Sequence, residues 1–216
     1  KGNRPLARGR DPEHSSDAVT RSLLLLSRGG SDATFIKEFD MSTGLVEDRP
    51  FNLPEAKTRA SYKSRNVLLV GSDFGPDTLT DSGYPRTVRE WVRGTKIEDA
   101  PVIFEGEATD VSVSAYISDE RTWGGSIYEI QSRSMTFYTS KYWMRGPLQF
   151  EHLLAPDDPA KAAVGKAPDF KPVDVPDDAE IDFLGKLLVI TLRSDWAPVP
   201  NGDVYKRGSV IYVNAE

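Results

Sequence analysis

The sequence contains no cysteine, which excludes a disulfide framework, a thiolate metal site and a cysteine nucleophile together. Its two histidines leave almost no room for histidine-based catalysis. Long apolar runs are also missing. The longest, Leu23 to Leu26 and Leu187 to Ile190, fall far short of the roughly 18 to 20 residues of a spanning helix. A basic balance is missing too: the formal net charge is −6. That argues against a nucleic-acid partner and against adhesion to an anionic membrane, so neither is expected. No metal-ligand spacing and no cofactor motif is legible; cofactor, metal and catalytic positions are all expected to be none.

What the chain does have is enough length and enough Leu, Ile, Val and Phe, about a quarter of its 216 residues, to bury a core. Residues 1 to 20 form a polar leader broken by Pro and Gly, and no fold is assigned to them. From Arg21 onward short apolar stretches recur between turn clusters. They are SLLLLS from Ser22, ATFIKEF from Ala33, NVLLVGS from Asn66, TVREWV from Thr87 and APVIFEG from Ala100. DVSVSAYIS from Asp110, SIYEIQS from Ser126, MTFYTS from Met135, LQFEHLL from Leu148, KLLVITL from Lys186 and GSVIYVN from Gly208 continue the series. β-Branched and aromatic residues dominate them, and Val111, Val113, Ala115 and Ile117 alternate with polar neighbours, which is strand chemistry. Gly29-Gly30, Gly75-Pro76, Gly124-Gly125 and Asn201-Gly202 separate them, the last being a strong hairpin signal. No helical stripe is sustained, and Ala155 to Asp178 reads as a long surface loop.

The fold class expected is therefore all-β. An aromatic-x-Arg-Gly tetrapeptide recurs at Trp91 to Gly94, Trp143 to Gly146 and Tyr205 to Gly208. The strand centres near Leu68 and Val111 lie about one propeller repeat apart, since such repeats run roughly 40 to 50 residues. These echoes favour a propeller over a sandwich, with about four blades of four-stranded antiparallel sheets between 21 and 216. Trp91, Trp143 and Trp196 are expected to be largely buried between sheets.

Chemistry-bearing motifs are few. A serine hydrolase needs its nucleophile on a glycine-flanked elbow, G-x-S-x-G. Gly29-Gly30-Ser31-Asp32-Ala33 and Gly124-Gly125-Ser126-Ile127-Tyr128 come nearest, and both lack the closing glycine; each reads as a turn. His14 in the leader and His152 beside Glu151 are poor candidates for a triad base. Asp73-Phe74-Gly75 spells a kinase tripeptide without the rest of a kinase and also reads as a turn. Asp157-Asp158 and Asp177-Asp178 are carboxylate pairs beside prolines, explained by turn formation. Lys1, Arg4, Arg8 and Arg10 make the leader basic and solvated.

Three segments carry a resemblance. SRGGSDATFIKEFD from Ser27, DFGPDTLTDSGYPRTVREWVRGTKIEDA from Asp73 and VPDDAEIDFLGKLLVITLRSDW from Val175 resemble the propeller domain of the prolyl oligopeptidase family of serine peptidases. Ser82-Gly83-Tyr84-Pro85-Arg86 and Trp91-Val92-Arg93-Gly94 stand out within the second, and Gly208-Ser209-Val210 follows the third. The resemblance implies a propeller set over an α/β-hydrolase domain, where it admits short peptides and excludes folded proteins. The catalytic Ser, Asp and His of that family have no counterpart in this sequence. The expectation is a non-catalytic propeller part of such a peptidase, its partners being the hydrolase domain and short peptide substrates. The rival expectation is a stand-alone β-propeller module that binds proteins or peptides. The parent is expected in the bacterial cytoplasm, or in the periplasm if a signal peptide was removed. Because terminal blades would lack neighbours, a homodimer through a self-complementary contact is also expected.

Overall fold

The computed structural model describes residues 21–46, 49–158, 160–161, 165–200 and 202–215; the leader 1–20 and Asn201 lie outside them. The described residues are all-β, with helical structure limited to short turns. Four antiparallel sheets follow one another along the chain. The first contains β1 (Arg21–Ser27), β2 (Thr34–Asp40), β3 (Gly44–Leu45) and β4 (Asn52–Ala56). The second is the meander β5 (Arg59–Ser64), β6 (Val67–Gly71), β7 (Thr87–Val92) and β8 (Val102–Glu105). The third is β9 (Ser112–Asp119), β10 (Ile127–Ser134), β11 (Ser140–Leu148) and β12 (Lys171–Pro172). The fourth has β13 (Glu180–Leu184), β14 (Leu187–Thr191) and β15 (Val210–Asn214), three strands where four were expected.

The sheets are joined face to face by apolar cores. Ile36 of β2 packs with Tyr62, Leu68, Val70 and Trp91 of the second sheet. Leu69 and Val88, on the opposite side of that sheet, pack with Val113 and Ala115 of β9. Tyr128 and Ile130 of β10 then meet Phe183, Leu188 and Ile190 of the fourth. β6 is consequently buried at every residue, which is why its run VLLVG shows no alternation: a strand covered on both faces reads as a continuous apolar stretch.

Several expectations need correction. MTFYTS from Met135 is the turn between β10 and β11, where Phe137 and Tyr138 are among the most exposed side chains. Aromatic content misled there. Hydrogen bonds from Tyr138 and Thr139 N–H to Thr136 Oγ1 close the turn instead. LQFEHLL keeps only Leu148 in a strand; Phe150–Leu153 coil into a 3-10 turn. Trp91 is buried, whereas Trp143 and Trp196 are half-buried. Leu68 and Val111 are not equivalents, since one lies in a second strand and the other just before a first. The echo holds for two of its three copies: Trp91 and Trp143 both lie in third strands, but Tyr205 precedes β15 and bridges to Trp196.

One glycine sets how closely the third and fourth sheets approach. A Cβ on Gly125 would lie 2.1 Å from the carbonyl oxygen of Gly185, in the β13–β14 turn. Gly125→Ala is therefore expected to cost about 1–3 kcal/mol by overpacking against backbone, read as a lowered urea midpoint. An unchanged midpoint would show that this junction has slack.

Candidate functional site

Antiparallel pairing places alternate connections at opposite ends of the sheets. At one end lie the segment after β2, the β5–β6 turn and the loops after β7 and β11. An open cleft of about 330 Å³ forms there, lined by Arg49, Asn66, Val92, Arg93, Asp157 and Asp158 among others. The pair 157–158 thus lines the same cleft as Arg49 and Arg93. Arg93 is itself committed to Glu38: Nη1 donates to Oε2 and Nη2 to Oε1, both at 2.7 Å. Tyr62 Oη donates to the same carboxylate at 2.7 Å and the Phe51 N–H at 2.9 Å. The Glu38 side chain is wholly buried. Burial pushes its pKa up, but the bonds from Arg93, Phe51 and Tyr62 outweigh it, and the carboxyl sits below its ordinary value. Burial together with that carboxylate raises the Tyr62 phenol.

A second buried charge group joins the second and third sheets. Lys63 Nζ of β5 lies 2.5 Å from Glu90 Oε2 and 3.5 Å from Glu129 Oε2. Arg145 of β11 reaches the same Glu129 oxygen at 2.6 Å. Lys161 approaches from the loop after β11, and burial lowers its ammonium pKa. Sequence reading passed over β5 because RASYKS looks solvated. Its lysine is buried through carboxylates supplied by β7 and β10.

At the opposite end, Ser82 to Arg86 forms a strap across three sheets. Tyr84 Oη donates to Asp32 of the first sheet's β1–β2 turn at 2.6 Å. The carbonyls of Pro85 and Arg86 accept from the N–H groups of Val113 and Gly106. Thr80 Oγ1 donates to the Val111 carbonyl, and Lys57 sits 4.2 Å over the Tyr84 ring.

Among the described residues the chemistry-bearing side chains named from the sequence hold local bonds. His152, the histidine among the described residues, accepts the Gln149 N–H on Nδ1, and no serine is hydrogen-bonded to it. Ser31 donates to the Ala33 carbonyl within its turn. Asp73 accepts the Gly75 N–H, a local turn bond, and Asp178 accepts from Ser194. Asp177 offers its carbonyl to the Ser140 N–H. His14 and the basic leader residues lie outside the described residues.

The chain aligns with a solved post-proline cleaving enzyme from Rickettsia typhi at a TM-score of 0.73, over 90% of this chain and 27% of that one, with 23% identity. The all-β fold of stacked antiparallel sheets is propeller-like, matching that part of the Rickettsia enzyme. A structure from a study of two prolyl endopeptidases aligns at a TM-score of 0.52, 14% identity, 82% of this chain and 23% of that one. In sequence the chain is 27% identical over 194 residues to an uncharacterized peptidase of Sinorhizobium fredii, covering 88% of this chain. The chain spans about a quarter of the length of that relative. No family model matches the chain. The resemblance read from the three sequence segments is borne out; the first two hold Asp32, Glu38, Tyr84, Glu90 and Arg93, which take part in the strap and the buried charge groups between neighbouring sheets.

Proposed function

We propose that the chain serves as the propeller part of a prolyl-oligopeptidase-like serine peptidase, restricting a hydrolase domain to short peptides. The alignment with the Rickettsia enzyme over nine-tenths of this chain supports that reading. The acceleration itself belongs to a separate α/β-hydrolase domain, since an acyl-enzyme needs a nucleophile and base. The chain by itself is expected neither to hydrolyse a fluorogenic prolyl peptide nor to be labelled by a fluorophosphonate. Labelling of any serine would overturn its non-catalytic role. The restricting role is tested on the full gene product by comparing a short prolyl peptide with an unfolded protein carrying the same sequence. Preference for the peptide is expected, and equal turnover would remove the gating role.

A second reading, a stand-alone binding module, is favoured by the β10–β11 turn. Its threonine bonds fix Phe137 and Tyr138 in solvent, 77% and 84% exposed. Rigid exposed aromatics are what protein interfaces use as anchors. A gene product without a hydrolase segment would favour this reading.

A further inference from the structure

The second and third sheets each take in their chain and give it back at the same end, the end of the strap. β5 starts at Arg59 and β8 stops at Glu105. Lys57 and Arg59 lie over the Tyr84 ring, and the Gly106 N–H donates to the Arg86 carbonyl, so both termini stand beside the strap. β9 starts at Ser112, next to the Val111 carbonyl that accepts from Thr80. The segment after β12 returns to this end as well, where the Asp177 carbonyl accepts the Ser140 N–H. A stack built from such sheets passes the chain in and out on the strap side. A domain joined to it through the polypeptide is therefore tethered there and not at the cleft end.

The β10–β11 turn, residues 135–139, stands at this end too, since Ser134 pairs with both Ser112 and Ser140. It is built to hold its shape. The Met135 and Thr136 N–H groups donate to the Thr139 carbonyl at 3.0 and 3.3 Å, and the two threonine hydroxyls bond each other at 2.8 Å. The Tyr138 and Thr139 N–H groups donate to Thr136 Oγ1, both at 3.1 Å. At the tip are Phe137 and Tyr138, the two most exposed of the large apolar side chains described. A turn that only reverses the chain favours Gly, Asn or Asp. Here the threonines close the turn, and the two aromatic rings add nothing to it. Val199 and Val204, in the loop from β14 to β15, are exposed at the same end. Trp123, also exposed, follows β9 at the cleft end.

We propose that Phe137 and Tyr138 are the anchor by which this end of the stack docks on the α/β-hydrolase domain, entering an apolar recess able to accept a hydrogen bond from Tyr138 Oη. The proposal rests on reading the chain as the propeller part of a peptidase. Chain polarity names the occupant. A domain tethered on the strap side already faces the turn, so the contact is intramolecular and gains the effective concentration of a linked partner. A second copy or a free peptide has no such advantage. The chemistry fits as well. Aromatic residues are enriched at protein interfaces, and rings on a turn fixed beforehand lose little conformational freedom when buried. Docked in this way, the pair also sets how often the two domains part to admit a peptide.

Hydroxyl-radical footprinting of the full gene product, read by mass spectrometry, tests this. With rates referred to the free amino acids, Phe137 and Tyr138 are expected to be oxidised several-fold more slowly than their exposure in this chain implies. Trp123 is expected to be oxidised as its exposure implies. The double variant Phe137→Ser/Tyr138→Ser is expected to speed tryptic cleavage at sites between the docked domains about tenfold, the scale of losing hot-spot side chains. Trp123→Ser is expected to leave that rate unchanged. A gene product without a hydrolase segment overturns the peptidase reading and the anchor with it. Where that segment is present, free oxidation of both rings overturns the anchor and leaves the peptidase reading standing. Protection that fades on dilution, or that appears only with added prolyl peptide, assigns the turn to a second copy or to substrate and overturns the anchor too. So does a folded double variant cleaved at the wild-type rate. The footprint needs no variant, so it decides the matter even where the double variant fails to fold.

Discussion

Glu38→Ala is expected to lower the free energy of unfolding by about 3–5 kcal/mol, the usual cost of breaking one side of a buried ion pair. The loss comes from what the substitution leaves behind. Arg93 keeps its guanidinium 4.2 Å over the Phe51 ring but loses its bidentate carboxylate. Tyr62 Oη and the Phe51 N–H lose their acceptor as well. Arg21, whose Nη1 lies 3.6 Å from Glu38, cannot replace it because it too is a donor. Urea denaturation at neutral pH measures the loss, and a change below 1 kcal/mol would mean the surroundings relax around the gap. The carboxyl sits below its ordinary value of 4.5, so its contribution is fully present above that value. It is lost as the pH falls through the lower, folded-state value. The gap between wild type and Glu38→Ala is therefore expected to narrow below about pH 4.5, with neutral-pH stability unaffected by small pH changes.

Lys63→Met is expected to cost a similar amount, about 3–5 kcal/mol, for a different reason. It removes the cation between two carboxylates and leaves Glu90 and Glu129 buried with Arg145 as the nearby compensation. Glu129 has little in reserve, because its Oε1 is buried without a hydrogen-bond partner. Adding Glu129→Leu to Lys63→Met should recover part of the loss, since apolar replacement of a whole buried pair is often neutral or better. A double variant less stable than wild type by the sum of both single effects would show that the two side chains act independently.

The strands that were legible were those whose burial is apolar. Val67–Gly71, Ser112–Asp119, Ile127–Ser134 and Leu187–Thr191 announce themselves by β-branched runs or alternation. Strands β5 and β4 did not. β5 buries Ser61, Lys63 and Ser64, and whether a lysine can be buried depends on partners that lie tens of residues away. β4 contains Pro54, placed where the β2–β4 register shifts between Thr34 and Ile36, so no ladder N–H is missed there. β11 hid behind Gly146-Pro147, opposite Tyr128. A Cβ at Gly146 would come 2.6 Å from that ring, so the glycine is a packing requirement that looks like a strand breaker. The same limit applies to the charge groups. Arg93 and Arg145 were noticed as parts of a repeated tetrapeptide, but their carboxylates, Glu38 and Glu129, carry no motif. Ion pairs across sheet seams have no fixed sequence separation, and only the three-dimensional stacking reveals them.

The position of Glu38 has a consequence during synthesis. The first sheet is complete by Ala56, while Arg93, its principal counter-ion, emerges from the ribosome well afterwards. Until then the nascent face bearing Ile36 and Phe51 is unshielded, and a bare apolar sheet face is what aggregating chains seize upon. The carboxylate at its centre has Arg21 of the same sheet 3.6 Å away, and covering it with another apolar surface before Arg93 arrives carries the cost of burying a charge without its bidentate partner. Once the second sheet arrives, the same charge is neutralised in place. The residue that guards the unfinished surface thereby becomes the one that fastens it.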